Sequence, residues 1–191
     1  YVENILPNGF KAQVVCHSKL ACIRYRNGIK AALAERLARE EAKASPDRDL
    51  IQRLRFLKTA VVVSSDGTNE AAYITQARKE ARRMNAIENF CRSFDFEDPD
   101  KEYTGIAFLI VCDMLLTGFD APIEQVMYID KKLREHTLMQ AIARTNRVKR
   151  GKKRGYIVDY IGLANHLTEA LSLYAAADEL QELQDGMQSI A

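Results

Sequence analysis

Short, mostly apolar runs recur along this chain, the one at 106–112 uninterrupted, and polar loops and stretches of helically spaced apolar residues lie between them. Runs of that kind suit strands buried on both faces, and they fall at residues 12–16, 59–63, 106–112, 126–129 and 156–159. Between the first two, a helix is predicted from His17 or Ser18 to about Ala44, anchored by Ile23, Leu33 and Leu37 and stopped at Ser45 and Pro46. Residues 47–58 form either a short amphipathic helix on Leu50, Leu54 and Leu57 or part of an insertion. Further helices are predicted from Glu70 or Gln76 to about Phe90 and from about Glu135 to Val148, with an acidic turn containing Pro99 at 95–100. Leu163, Leu167, Leu171 and Tyr174 share one face of a last helix. Strands alternating with helices predict an α/β fold, a parallel sheet flanked by helices with a C-terminal helical extension. The expected division is an opening segment over 1–10, the α/β domain over 11–162 and the extension over 163–191.

Composition narrows the picture without naming a chemistry. With 191 residues and 47% hydrophobic content, the chain can bury one substantial core with no help from disulfides or metals. A formal charge of +2 is no global signature of nucleic-acid binding, so any such role must rest on local patches. Cys16, Cys22, Cys91 and Cys112 lack CxxC spacing and read as small buried hydrophobes, and the three histidines have no ligand spacing, so no metal site is expected. Nothing resembles a signal peptide or a bilayer-spanning run, which predicts a cytoplasmic protein with no membrane partner.

The candidate chemistry lies in MQAIARTNR, residues 139–147, downstream of the loop LTGFDAP at 116–122. Gln140, Arg144 and Arg147 stand at i, i+4 and i+7, so on a helix one amide and two guanidiniums point the same way. Such a stripe suits a triphosphate, because arginine neutralises the charge developing on a transferred phosphoryl group, an effect worth roughly 10³–10⁵ in rate. The ordinary explanation is a solvated helix face. Context favours the phosphate: an apolar strand precedes the glycine and acid loop, and parallel sheets place ligands in loops beyond the carboxyl ends of their strands. On either explanation the arginines are exposed, and replacing them should leave stability nearly unchanged.

The segments CDMLLTGFDAP (112–122), QVMYIDKKLREHTLMQAIARTNR (125–147) and GYIVDYIGLANHLTEAL (155–171) resemble the second motor domain of the motor subunit of type I restriction endonucleases, a branch of the superfamily 2 helicases and translocases. The resemblance covers roughly residues 10 to 175. It implies a RecA-like domain of an ATP-dependent double-stranded DNA translocase. By the same resemblance Gly118 and Asp120 approach the nucleotide or the nucleic-acid backbone, and Gln140, Arg144 and Arg147 match the nucleotide-sensing helix. One departure is Ala143, where many superfamily members have glycine. Loops after the first two strands hold one DNA strand in the resembling motors, and Ser18, Lys19, Ser64 and Ser65 match them, with Thr117 as a third contact. Ser18 is equally readable as a helix N-cap, and residues 65–67 as a plain turn. The implied cofactors are ATP and Mg2+. The implied partners are a first motor domain and a nuclease domain in the same parent chain, together with methyltransferase and specificity subunits.

No phosphate-cradling GxxxxGK[ST] loop occurs, and the one Gly-Lys pair, Gly151 and Lys152, is followed by Lys153. An acidic pair after an apolar strand, suited to magnesium, is also missing from the sequence. The chain therefore reads as half of a motor, inactive alone, that offers its arginines to a nucleotide held by a partner domain. Six cations crowd into residues 147–154, either as a phosphate-holding run or as a solvated basic turn. Two other assignments remain open at this stage: another superfamily 2 DNA helicase, or a non-catalytic binding module with a motor-like fold.

Overall fold

The computed structural model describes residues 1–162 apart from Asp66, Thr68, Asn69, Thr117 and Arg134. The predicted contact at Thr117 and the helical extension at 163–191 lie outside the described residues.

All five apolar runs become strands: β1 Lys11–Cys16, β2 Lys58–Val62, β3 Ile106–Val111, β4 Glu124–Asp130 and β5 Tyr156–Asp159. They form one sheet in the order β2-β3-β1-β4-β5, every neighbouring pair parallel. β3, β1 and β4 are buried along almost their whole length because helices cover both faces, which is why these runs do not alternate with polar residues. The order and direction define the expected RecA-like α/β architecture.

The helices α1 Lys19–Glu41 and α2 Arg48–Phe56 start at side-chain caps. The Ala21 amide donates to Ser18 Oγ (3.1 Å) and the Leu50 amide to Asp47 Oδ1 (3.0 Å). Near the end of α1, buried Glu40 receives Arg36 (2.8 Å), Lys43 (2.7 Å) and the Asp47 amide (3.2 Å), fixing the turn into α2. Residues 47–58 are thus a short amphipathic helix joined to β2.

The helix expected up to Phe90 is two helices, α3 Ala72–Arg83 and α4 Ala86–Cys91. Asn85 breaks them with a left-handed backbone (φ 42°), a conformation asparagine tolerates better than most residues. The acidic turn at 95–100 leads into a 3₁₀ segment, Pro99–Gly105. α5 spans Glu135–Thr145, ending three residues before the predicted Val148.

Two cores result, one on each face. Cys22, Ile23, Leu54 and Ile74 cover Val14, Val61, Ile110 and Val126. Phe90, Leu138 and Ala141 cover Val15, Val62, Leu109 and Met127 on the other side. The opening segment joins the first core, with Ile5, Leu6 and Phe10 buried and the Tyr1 ring 4.5 Å from that of Phe108. Among the described residues, no helix is long and apolar enough to cross a membrane.

Gly105 sits where the 3₁₀ segment meets β3, and a Cβ there would lie 2.2 Å from the Phe56 carbonyl oxygen. Replacing Gly105 by Ala must push α2 away from the sheet, and should destabilise the domain by roughly 1–3 kcal/mol. A thermal unfolding midpoint equal to that of the unmodified chain would contradict this contact.

Candidate functional site

β3 and β4 run parallel on either side of β1, so residues 112–123 must return from the carboxyl edge of the sheet to its amino edge. Such crossovers usually contain a helix; this one is a loop, and it carries Gly118 and Asp120. α5 travels back along β4 and brings its arginine end to the same descending loop. The expectation that this loop works at the carboxyl edge is therefore corrected: Asp120 and Arg147 lie toward the amino edge, because the parallel direction of β4 draws the chain there.

The three members of the predicted stripe have different surroundings. Gln140 is exposed. Arg144 is buried, with 5% exposure; Nη1 donates to the Leu115 carbonyl and Nη2 to that of Leu116 (3.0 Å). Its guanidinium carbon lies 5.6 Å from the centroid of the Phe119 ring. Arg147 lies beyond the end of α5, exposed, with Nη1 at 2.9 Å from Asp120 Oδ1. The expectation of one uniformly exposed face fails at Arg144, because the loop fold offers it two carbonyls and an aromatic ring.

Arg144 compensates a local strain. Leu115 has φ 65°, uncommon for a leucine, and its carbonyl is one of the two that accept from Arg144. Gly118 also has a positive φ, 69°, where glycine is at ease, and it is exposed. Phe119 is the loop's anchor, buried and 6.2 Å from the ring of Phe90. An aromatic residue between a glycine and an acid in a polar loop was the available signal for that anchor.

Beneath the arginines is a buried ionisable group that the sequence did not reveal. Glu124 opens β4 with no solvent exposure, and neither carboxylate oxygen has a hydrogen-bond partner among the described residues. Burial pushes its carboxyl up to about 8, against the opposing pull of Arg144 and Lys152. Lys152 Nζ donates to the Pro122 carbonyl (3.1 Å) and to that of Glu124, and burial brings its ammonium down to about 8. Gln125 Nε2 donates to the Arg154 carbonyl (3.0 Å), and the Gly155 amide to Asn146 Oδ1 (2.8 Å). The basic turn is thus fastened under the loop through Lys152 rather than simply solvated.

At the carboxyl edge, the residues matched to the DNA loops do come together. Ser18 caps α1, while Ser64 and Ser65 are exposed after β2. Lys19 Nζ donates to the Ser64 carbonyl (2.6 Å) and reaches Glu70 Oε1 at 3.4 Å. Arg78 of α3 joins them, with Nη1 at 2.7 Å from Glu70 Oε2 and 3.5 Å from the Ser64 carbonyl. The loops after β1 and β2 are therefore linked across the end of β3, which lies between those strands. Among the described residues, no three His, Cys, Asp or Glu side chains form a group able to hold a metal ion.

A parallel sheet in this order, with a glycine and acid loop beside an arginine-bearing helix end, is a RecA-like domain. The sequence profile for type I restriction enzyme subunit R, domain 3, matches residues 8–162, and the chain belongs to that family. It is 38% identical over 184 residues to a Methanocaldococcus jannaschii protein provisionally named the MjaVIIP endonuclease subunit of a type I restriction enzyme, covering 91% of this chain and 15% of the relative. It is 46% identical over 98 residues to the type I restriction enzyme HindI endonuclease subunit of Haemophilus influenzae, covering 50% of this chain and 9% of that one. A Staphylococcus saprophyticus relative, the type I restriction enzyme SsaAORF53P endonuclease subunit, is 44% identical over 75 residues, covering 39% and 8%. The chain thus spans less than a sixth of the length of these relatives.

Two predictions follow from this geometry. Replacing Arg144 by Ala leaves the Leu115 and Leu116 carbonyls without their charged donor and should cost about 2–3 kcal/mol, read as a drop of several degrees in the unfolding midpoint. A midpoint within a degree of the unmodified chain would mean that Arg144 holds nothing.

The second concerns Glu124, whose carboxyl titrates near 8 when folded and near 4.5 when unfolded. Between those values the unfolded chain has released a proton that the folded chain retains, so stability falls as pH rises from about 4.5 to about 8. Glu124→Gln removes that fall. The difference in unfolding midpoint, variant minus unmodified, should grow more positive from pH 5 to pH 8, and a constant difference would refute the assignment.

Proposed function

We propose that this chain is the second motor domain of an ATP-dependent double-stranded DNA translocase, within the motor subunit of a type I restriction endonuclease. The observation that carries this reading is Arg147: exposed, beyond the end of α5, beside residues 118–120, and held by an exposed ion pair to Asp120. A guanidinium in that position can be handed to a phosphate with little disturbance, since an exposed pair is worth about 0–1 kcal/mol.

ATP supplies the phosphoryl group, and Mg2+ would be bound mainly by the first motor domain of the same parent chain. This chain contributes positions and charge. Arg147 neutralises the terminal phosphate across the cleft, and Gly118 and Asp120 form the rim that approaches the nucleotide. Gln140 faces solvent one turn before Arg144 and contributes an amide to the same cleft. Arg144 acts by setting the loop that carries Gly118 and Asp120, which makes it a positioning residue. An exposed glycine at position 118 suits a nucleotide held from the other side, since it presents no side chain to the approaching phosphates.

At the other edge, Ser18, Lys19, Ser64 and Ser65 contact the DNA backbone without reading sequence, and the family resemblance adds Thr117 as a third DNA contact. Closure of the cleft changes the relative grip of the two motor domains, and the difference in binding free energy between open and closed states drives movement. The nuclease domain, methyltransferase and specificity subunits complete the assembly, which works in the cytoplasm. Alone, the chain has no loop to hold the triphosphate and turns over no ATP.

The test is Arg147→Lys in the full-length subunit, which keeps the charge and removes the planar fork. ATP hydrolysis stimulated by double-stranded DNA should fall by roughly 10² or more, with the unfolding midpoint essentially unchanged. Hydrolysis close to the unmodified rate would leave the chain as a non-catalytic module with a motor-like fold.

A further inference from the structure

Of the groups that act at the carboxyl edge, Glu70 and Arg78 have no assigned role. The Glu70 side chain is 3% exposed, yet it is a carboxylate shared by two cations, Lys19 at 3.4 Å and Arg78 at 2.7 Å, with Thr75 Oγ1 donating to it at 3.1 Å. Both cations also converge on one acceptor, the Ser64 carbonyl, at 2.6 and 3.5 Å. Lys19 follows β1, Ser64 follows β2, and Arg78 is on α3, so three elements meet at one point of the sheet edge.

Glu70 holds both cationic heads beside the exposed hydroxyls of Ser64 and Ser65. A buried acid shared by two cations fixes both heads in advance. Preorganised cations lose less entropy when they meet an anion. The contacts of Arg78 to Glu70 and Ser64 run through Nη1, while a guanidinium has five N–H donors in a fixed fork.

Resting on the DNA-facing role proposed for this edge, we propose that Arg78 is a further contact to the phosphodiester backbone of DNA, donating from Nε and Nη2. Glu70 is its positioning residue, holding Arg78 and Lys19 as one two-cation clamp that unites the loops after β1 and β2. The clamp is indifferent to base sequence, because phosphates carry none.

The experiment uses the full-length subunit and two duplexes of unrelated sequence, with affinity followed by fluorescence anisotropy over a series of salt concentrations. Arg78→Ala should weaken binding to both duplexes alike and reduce the slope of log K against log salt by about 1. Arg78→Lys, which keeps the charge, should retain that slope and guards against a fold defect in the alanine variant. Glu70→Gln gives the sharper sign. Simple Coulomb attraction predicts tighter binding once a negative charge is gone, whereas a positioning role predicts weaker binding.

An unchanged salt slope in Arg78→Ala overturns the contact, and tighter binding by Glu70→Gln overturns the positioning role. Ser65→Glu separates this proposal from the broader one. If Ser65→Glu weakens binding while Arg78→Ala does not, the clamp alone is wrong. If neither has an effect, the assignment of this edge to DNA fails with it.

Discussion

Two hydrogen bonds from one guanidinium hold the return of the chain from the carboxyl to the amino edge of the sheet. The segment between β3 and β4 must travel the height of β1 without a helix to support it, and Arg144 supports it from outside by binding the carbonyls of Leu115 and Leu116. The same loop carries the left-handed turn at Leu115, the exposed Gly118, the buried Phe119 and Asp120 paired with Arg147. A buried guanidinium is expensive to desolvate, and here the expense is offset by charge-assisted bonds to carbonyls that would otherwise lack donors.

The sheet consequently divides its work between its ends. At the carboxyl edge the loops after β1 and β2 are cross-linked by cations, while toward the amino edge the arginine end of α5 faces the descending loop. A rigid five-stranded sheet with a packed core on each face separates the two regions. A close-packed interior transmits displacement rather than absorbing it, so this is a frame across which a change at one end can be felt at the other.

The strands were legible in the sequence because parallel, doubly covered strands leave an unmistakable mark, a continuous apolar run such as that at 106–111. Helix starts were legible where a side chain makes the cap, as at Ser18 and Asp47. The break at Asn85 was not, because an asparagine inside a helical pattern is as compatible with continuation as with a left-handed turn. Spacing placed Gln140, Arg144 and Arg147 near one another, but periodicity says nothing of what stands opposite a helix face. The carbonyls that bury Arg144 come from residues almost thirty positions away. The same holds for Glu124 and Lys152, whose burial is created by the meeting of β4 with the basic turn, and for Arg78, whose partners at Ser64 and Glu70 arise only when α3 folds back on β2.

The length of α1 has a mechanical meaning. Its 23 residues make a rod of ~35 Å, whereas the six-residue strand before it is ~20 Å long. The rod begins at the Ser18 cap and ends in the ion pairs around Glu40, where Glu41 also meets Arg55 of α2 at 2.7 Å. A tilt of a few degrees at the cap is therefore magnified to a shift of about 2–3 Å at the far end, given the 1.5 Å rise per residue. α1 thus spans the distance from the loops after β1 and β2 to the start of α2.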